Sequence, residues 1–126
     1  MDQNPRAKTE LKKFRVKFTE HEHKLLKLIS ALDSKYQYEV ISAALVWARQ
    51  NADRILPLTF PTSASFRSIY LLEGDTDLSD LERDWNCKTN NALYTATALY
   101  LRVRTSDNEG SMNLLPTDEE PIAVSS

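Results

Sequence analysis

Residues 13–18, Lys-Phe-Arg-Val-Lys-Phe, alternate without exception between cationic and apolar side chains. A period of two is that of an extended strand with one buried face, so Phe14, Val16 and Phe18 share one side while Lys13, Arg15 and Lys17 share the other. Such a strand cannot stand alone. Its backbone N–H and C=O groups need a second strand, and its apolar face needs helices to cover it. The chain must supply the second strand itself or take it from another copy.

Two helices are predicted directly after the strand. Thr19 and Glu22 form a capping-box pattern, in which each side chain satisfies a backbone N–H at the helix start. Leu25, Leu26, Leu28, Ile29 and Leu32 then gather on one broad helical face. Asp33-Ser34-Lys35 ends that run. Ser34 with Gln37 offers a second capping box, opening a helix that carries Val40, Ile41, Ala44, Leu45 and Ala48 and reaches about Asp53.

Pro57 and Pro61 mark residues 55–64 as a connector. Beyond it residues 66–72 are β-prone, and residues 75–86 can form a short helix with Leu78, Leu81 and Trp85 on one side. Thr89 is placed to cap a further helix through Val103. Strand, helix and helix thus recur. Phe66-Arg67 echoes Phe14-Arg15, and residues 92–102 echo 40–49 in pattern at low identity. The expected division is a flexible basic arm at 1–12, a first unit at 13–54, the connector, a second unit at 65–104 and a disordered acidic tail at 105–126. That tail carries Asp107, Glu109, Asp118, Glu119 and Glu120 with no Lys or Arg.

Composition limits the alternatives. At 126 residues the chain fits one compact domain or two small ones sharing a core. Only two glycines are present, which argues against a hairpin-rich barrel and for a mainly α fold with short β. Cys87 is the sole cysteine, excluding an intramolecular disulfide and a cysteine-rich zinc site. The first ten residues lack the apolar core of a secretory signal, and the most apolar window, 40–48, is too short to span a bilayer. A cytoplasmic protein without membrane association is expected.

No glycine-rich phosphate loop, His-x-x-x-His, nucleophile elbow or carboxylate pair in an apolar setting occurs, so neither an enzyme nor a cofactor is expected. Glu20-His21-Glu22-His23 is not read as a metal site, because residues two apart on a helix diverge by about 200°. Both histidines are expected on exposed first turns, adding positive charge below about pH 6.5. Trp47, Trp85, Tyr94 and Tyr100 lie at helical spacing among Ala and Leu, which is a core pattern rather than a base-stacking one.

The net charge of −2 conceals a segregation. Residues 1–56 hold eleven basic against seven acidic side chains, and residues 57–126 hold five against eleven. The first eighteen residues concentrate Arg6, Lys8, Lys12, Lys13, Arg15 and Lys17 against only Asp2 and Glu10. Such a density suits contact with phosphate.

Lys13-Phe14-Arg15-Val16-Lys17-Phe18-Thr19-Glu20, the leucine-rich helix after it and the helix with Val40-Ile41-Ser42-Ala43-Ala44-Leu45 resemble the ribbon-helix-helix (Arc/MetJ-like) family of DNA-binding proteins over residues 13–50. The resemblance implies a two-stranded antiparallel ribbon inserted into the major groove of double-stranded DNA, with alternate side chains reading base edges. Lys13, Arg15 and Lys17 are then the base readers, Arg15 being able to bridge guanine O6 and N7. Arg6, Lys8 and Lys12 are phosphate candidates. The family grips a further phosphate at the start of its second helix, which carries that role onto Ser34, Lys35, Tyr36 and Gln37.

Two sources of the second strand remain open. Two chains can pair through residues 13–52 as a homodimer, or residues 66–104 can make the chain a pseudo-dimer, similar to the tandem ribbon-helix-helix accessory proteins of conjugative plasmid transfer. In the tandem case Arg67, Ser68 and Tyr70 are candidates for a second half-site. One frame turns Arg67, Ile69 and Leu71 outward. The other turns Ser68 and Tyr70 outward and packs Ile69 and Leu71 inward, a better chemical fit. A pseudo-dimer implies an asymmetric DNA site and a homodimer a palindrome. The expected function is a transcriptional repressor or an accessory protein of a plasmid or mobile element. A second class is a protein-interaction or antitoxin-like module that acts through dimerisation and a protein partner at the acidic tail.

Overall fold

A computed structural model describes residues 10–109 of the chain. In order come β1 (Leu11–Phe18), α1 (Glu20–Leu32), α2 (Gln37–Gln50), β2 (Ser65–Leu72), α3 (Ser79–Trp85) and α4 (Thr89–Glu109), with single 3-10 turns at Ala52–Arg54 and Glu73–Asp75. Among the described residues the protein is mainly helical with one short, two-stranded antiparallel sheet.

The second strand comes from the same chain. β1 pairs with β2 from Leu11 opposite Leu72 to Phe18 opposite Ser65, with Arg15 opposite Ser68. Leu11 and Lys12, expected in the arm, extend β1 because Leu72 and Leu71 stand across from them. Val16 and Phe18 are buried and Phe14 is half-buried, as the alternation requires. On β2, Ile69 and Leu71 are buried while Phe66, Ser68 and Tyr70 face outward.

α1 starts at the expected capping box: the Glu22 N–H donates to Thr19 Oγ1 at 3.1 Å, and the Thr19 N–H donates to Glu22 Oε1 at 2.8 Å. Its apolar face is narrower than the sequence suggests, since Leu26 and Ile29 are buried whereas Leu28 and Leu32 are exposed. α2 buries all five expected residues, Val40, Ile41, Ala44, Leu45 and Ala48.

The turn between these helices corrects one expectation. Ser34 does not cap α2; it takes a left-handed φ of 55° as the residue that ends α1. Its N–H donates to the Ala31 carbonyl, and the Lys35 N–H reaches back to the Ser30 carbonyl. Those two bonds define a Schellman ending, which satisfies the last carbonyls of the helix. The start of α2 falls instead to Tyr36, whose N–H donates to Glu39 Oε1 at 2.9 Å. The same ending recurs between α3 and α4: Asn86 has φ 52°, with its N–H on the Arg83 carbonyl and the Cys87 N–H on that of Glu82.

Leu78, Leu81 and Trp85 are buried on and just before α3, as their spacing predicts. That helix begins at Ser79, after the 3-10 turn at Glu73–Asp75 and a non-helical stretch at 76–78, and Asp77 Oδ1 accepts from both the Ser79 N–H and its hydroxyl. α4 is central, with every residue from 92 to 98 buried. It runs to Glu109, so residues 105–109, expected at the start of the acidic tail, are helical.

One core serves both units. α2 packs on α4, while α2 also packs on β2 and α4 on β1, so each strand is covered by the second helix of the other unit. Polar contacts join the same halves. Arg104 grips Asp33 through two bonds of 2.6 and 2.8 Å, Arg49 donates to Asp80 at 2.7 Å, and Trp85 Nε1 donates to the Ala52 carbonyl at 3.1 Å. The connector is tied down as well, by the Leu58 N–H on Thr95 Oγ1 and by Phe60 against Tyr94. Each buried Leu or Ile adds roughly 1.5–3 kcal/mol. The cluster draws on residues of both units, so the two halves share that stabilisation.

Candidate nucleic-acid interface

The strand pleat sends Lys13, Arg15 and Lys17 to the face opposite Phe14, Val16 and Phe18. Lys13 and Arg15 are exposed, and Lys17 is half-buried. Across the ribbon stand Tyr70, Ser68 and Phe66 in that order. Beyond the exposed Leu11 at one end, the outward surface is therefore three cations on one strand and two aromatics about a serine on the other. Neither strand contains Asp or Glu.

Phe66 organises the cations. The Arg15 guanidinium carbon lies 5.1 Å from the Phe66 ring centroid and Lys17 Nζ lies 5.3 Å from it. Lys17 is its direct cross-strand partner and Arg15 its diagonal one. Cation–π attraction of this kind, about 0.5–1 kcal/mol at an exposed site, limits where two long side chains can wander. Asn90, at the start of α4, donates to the Arg15 carbonyl at 3.2 Å and holds the centre of the strand. Neither Phe66 nor Asn90 is singled out by sequence reasoning. Phe66 has a signal in the inward-packing frame of Ile69 and Leu71, whereas Asn90 has none, being distant in sequence.

Arg67 does not share the outward face of β2. Burial of Ile69 and Leu71 fixes the frame, and Arg67 falls on their side, opposite Val16. Its Nε is buried with no hydrogen-bond partner among the described residues. Ser68 and Tyr70 do face outward, so two of the three second-half-site candidates share the surface of Lys13, Arg15 and Lys17. The strands consequently align Lys13, Arg15 and Lys17 with Phe66, Ser68 and Tyr70, one residue away from the Phe66-Arg67 echo of Phe14-Arg15.

The phosphate candidates separate. Arg6 and Lys8 lie outside the described residues, as do positions 110–126 of the acidic segment. Lys12 is exposed near one end of the ribbon. Ser34, Lys35, Tyr36 and Gln37 lie together at the turn into α2, but the amides of Ser34, Lys35 and Tyr36 are already engaged. What the turn offers an anion is the Lys35 ammonium and the first-turn amides, opposed by the Glu39 carboxylate at the same helix end. α4, by contrast, has no acidic residue in its first turn and follows directly on exposed Lys88.

The two histidines differ in surroundings. His21 is exposed and His23 is half-buried. Burial, followed by the charges of Lys27 and Arg67, holds the His23 imidazole below its ordinary pKa of 6.5, so it resists the positive charge expected of it. No group of three potential metal ligands occurs among the described residues. Trp85 and Tyr94 are buried, and Trp47 packs on Tyr100 with centroids 6.0 Å apart. No helix among the described residues is long and apolar enough to cross a membrane. No protein-family model, curated protein or solved structure matches the chain.

Proposed function

We propose that this chain is a double-stranded-DNA-binding protein of ribbon-helix-helix type, folded as an intramolecular pseudo-dimer that reads the major groove with its β1–β2 ribbon. The supporting observation is the outward ribbon face itself, where Lys13, Arg15 and Lys17 align beside Phe66, Ser68 and Tyr70 without a carboxylate on either strand. A two-stranded ribbon fits the major groove, where base pairs present distinguishable donor and acceptor patterns. Arg15 occupies the middle pair and serves as a two-pronged donor to guanine. Lys13 and Lys17 reach guanine acceptors or flanking phosphates on either side.

The strands differ, so the two halves of the site differ, and the preferred duplex is asymmetric. A repressor or an accessory protein of a plasmid or mobile element is the role such a binder fills. The reading is tested by fluorescence anisotropy on mixed-sequence duplexes over a range of salt, comparing the parent with Lys13→Ala/Arg15→Ala/Lys17→Ala. The parent is expected to weaken steeply with salt, by a slope of about 0.9 for each phosphate neutralised, and the triple variant to bind far more weakly with a shallower slope and an unchanged fold. A triple variant that binds duplexes as tightly as the parent overturns it.

A further inference from the structure

Phe66 and Tyr70 remain 51% and 47% exposed on the outward face of β2. The core does not need them there, because Ile69 and Leu71 already anchor the strand from its other face. They stand on either side of Ser68, the partner of Arg15, with Lys17 opposite Phe66 and Lys13 opposite Tyr70. The two strands thus offer unlike chemistry from one surface: charged hydrogen-bond donors from β1, and aromatic rings with two hydroxyls from β2.

Resting on the ribbon reading above, we infer that β2 is a thymine-reading strand, with the Phe66 and Tyr70 rings packing on thymine C5-methyl groups in one half of a non-palindromic site. The thymine methyl is the apolar group that base pairs present in the major groove, and Phe66 has no polar atom with which to read anything else there. Its ring also steadies the cations without consuming their donors. A guanidinium held over a ring by cation–π attraction spends no hydrogen bond on it, so Arg15 can still donate to the O6 and N7 of a guanine beside the thymine-bearing half. Guanines thus belong under β1 and thymines under β2.

The test begins with the full chain and a library of randomised duplexes, from which bound sequences are selected. The duplex recovered is then remade with deoxyuridine at each thymine of either half, which removes the methyl group and keeps the Watson–Crick edge. The expected site is non-palindromic, with thymines clustered in one half. Deoxyuridine there weakens parent binding about fourfold for each contacted methyl, the worth of one buried methyl group. The Phe66→Ala/Tyr70→Ala variant binds the thymine and deoxyuridine duplexes alike, which loss of an arginine platform alone does not produce. A palindromic site, or a parent protein indifferent to deoxyuridine, overturns the thymine reading while leaving DNA binding in place. Recovery of no duplex at all overturns the DNA reading and this one with it. The deoxyuridine comparison uses the parent protein, so it stands whatever the double variant does to the fold.

Discussion

The Tyr94 hydroxyl donates a 2.6 Å hydrogen bond to Glu22 Oε2, so a residue of the last helix completes the cap of the first. Glu22 Oε1 meanwhile accepts from the Thr19 N–H. A single buried carboxylate therefore holds a helix start and joins the two halves of the molecule.

Tyr94→Phe leaves Glu22 Oε2 buried without that donor, and stability measured by urea unfolding should fall by about 1–2 kcal/mol. The same contact predicts an alkaline response. Burial first, then the Glu22 charge and hydrogen bond, raise the Tyr94 pKa above its ordinary 10.0. Unfolded Tyr94 loses its proton while folded Tyr94 keeps it, so the contribution is complete below pH 10.0 and declines as pH rises beyond it. Tyr94→Phe should flatten that decline.

Asp33 and Arg104 predict the opposite end of the pH scale. The Arg104 hydrogen bonds hold the Asp33 carboxyl below its ordinary 3.8, so the unfolded chain takes up the proton first. The pair's contribution is present above pH 3.8 and lost as pH falls below it. Asp33→Asn should cost about 0.5–1 kcal/mol at neutral pH, as expected for a partly exposed bidentate pair, and should make acid unfolding less steep.

Ser34 and Asn86 occupy equivalent left-handed turns, yet their side chains tolerate that conformation unequally. Glycine meets no Cβ penalty there, and asparagine meets less than serine. Ser34→Gly should stabilise the fold by about 0.5–1 kcal/mol in chemical unfolding, and Asn86→Gly by less. Equal gains, or a loss at Ser34, would show that the turn is not held as described.

Arg15→Lys keeps the charge of the ribbon and discards the planar fork. If Arg15 meets a guanine edge, affinity for the preferred duplex should drop by about tenfold, corresponding to about 1.4 kcal/mol within the range for one bidentate base contact. The salt slope should stay close to that of the parent. A pure phosphate contact at Arg15 would give nearly unchanged affinity.

Much of this fold is legible because its signals are local. The alternation around Arg15 specifies β1, Thr19 with Glu22 specifies the start of α1, and Val40, Ile41, Ala44, Leu45 and Ala48 specify the buried face of α2. Where two local roles compete, the sequence is ambiguous: Ser34 suits a helix start or a helix ending, and the Schellman bonds decide it. The end of α4 is hidden for a related reason. Thr105, Ser106, Asp107 and Asn108 are weak helix formers, but they continue a helix whose preceding turns are fixed by packing. Of the candidate interface, β1 is readable alone, whereas the outward set on β2 depends on which side chains reach a core formed by the whole chain. Glu22 with Tyr94 and Arg15 with Asn90 join residues too distant in sequence for any periodicity to pair them.

Since β1 and β2 belong to one polypeptide, the ribbon assembles in a first-order step. Dilution does not separate its strands. The linkage also frees the strands from having to change together. A substitution in β2 alters half of the surface and leaves the other half intact, a latitude that a pair of identical subunits does not have.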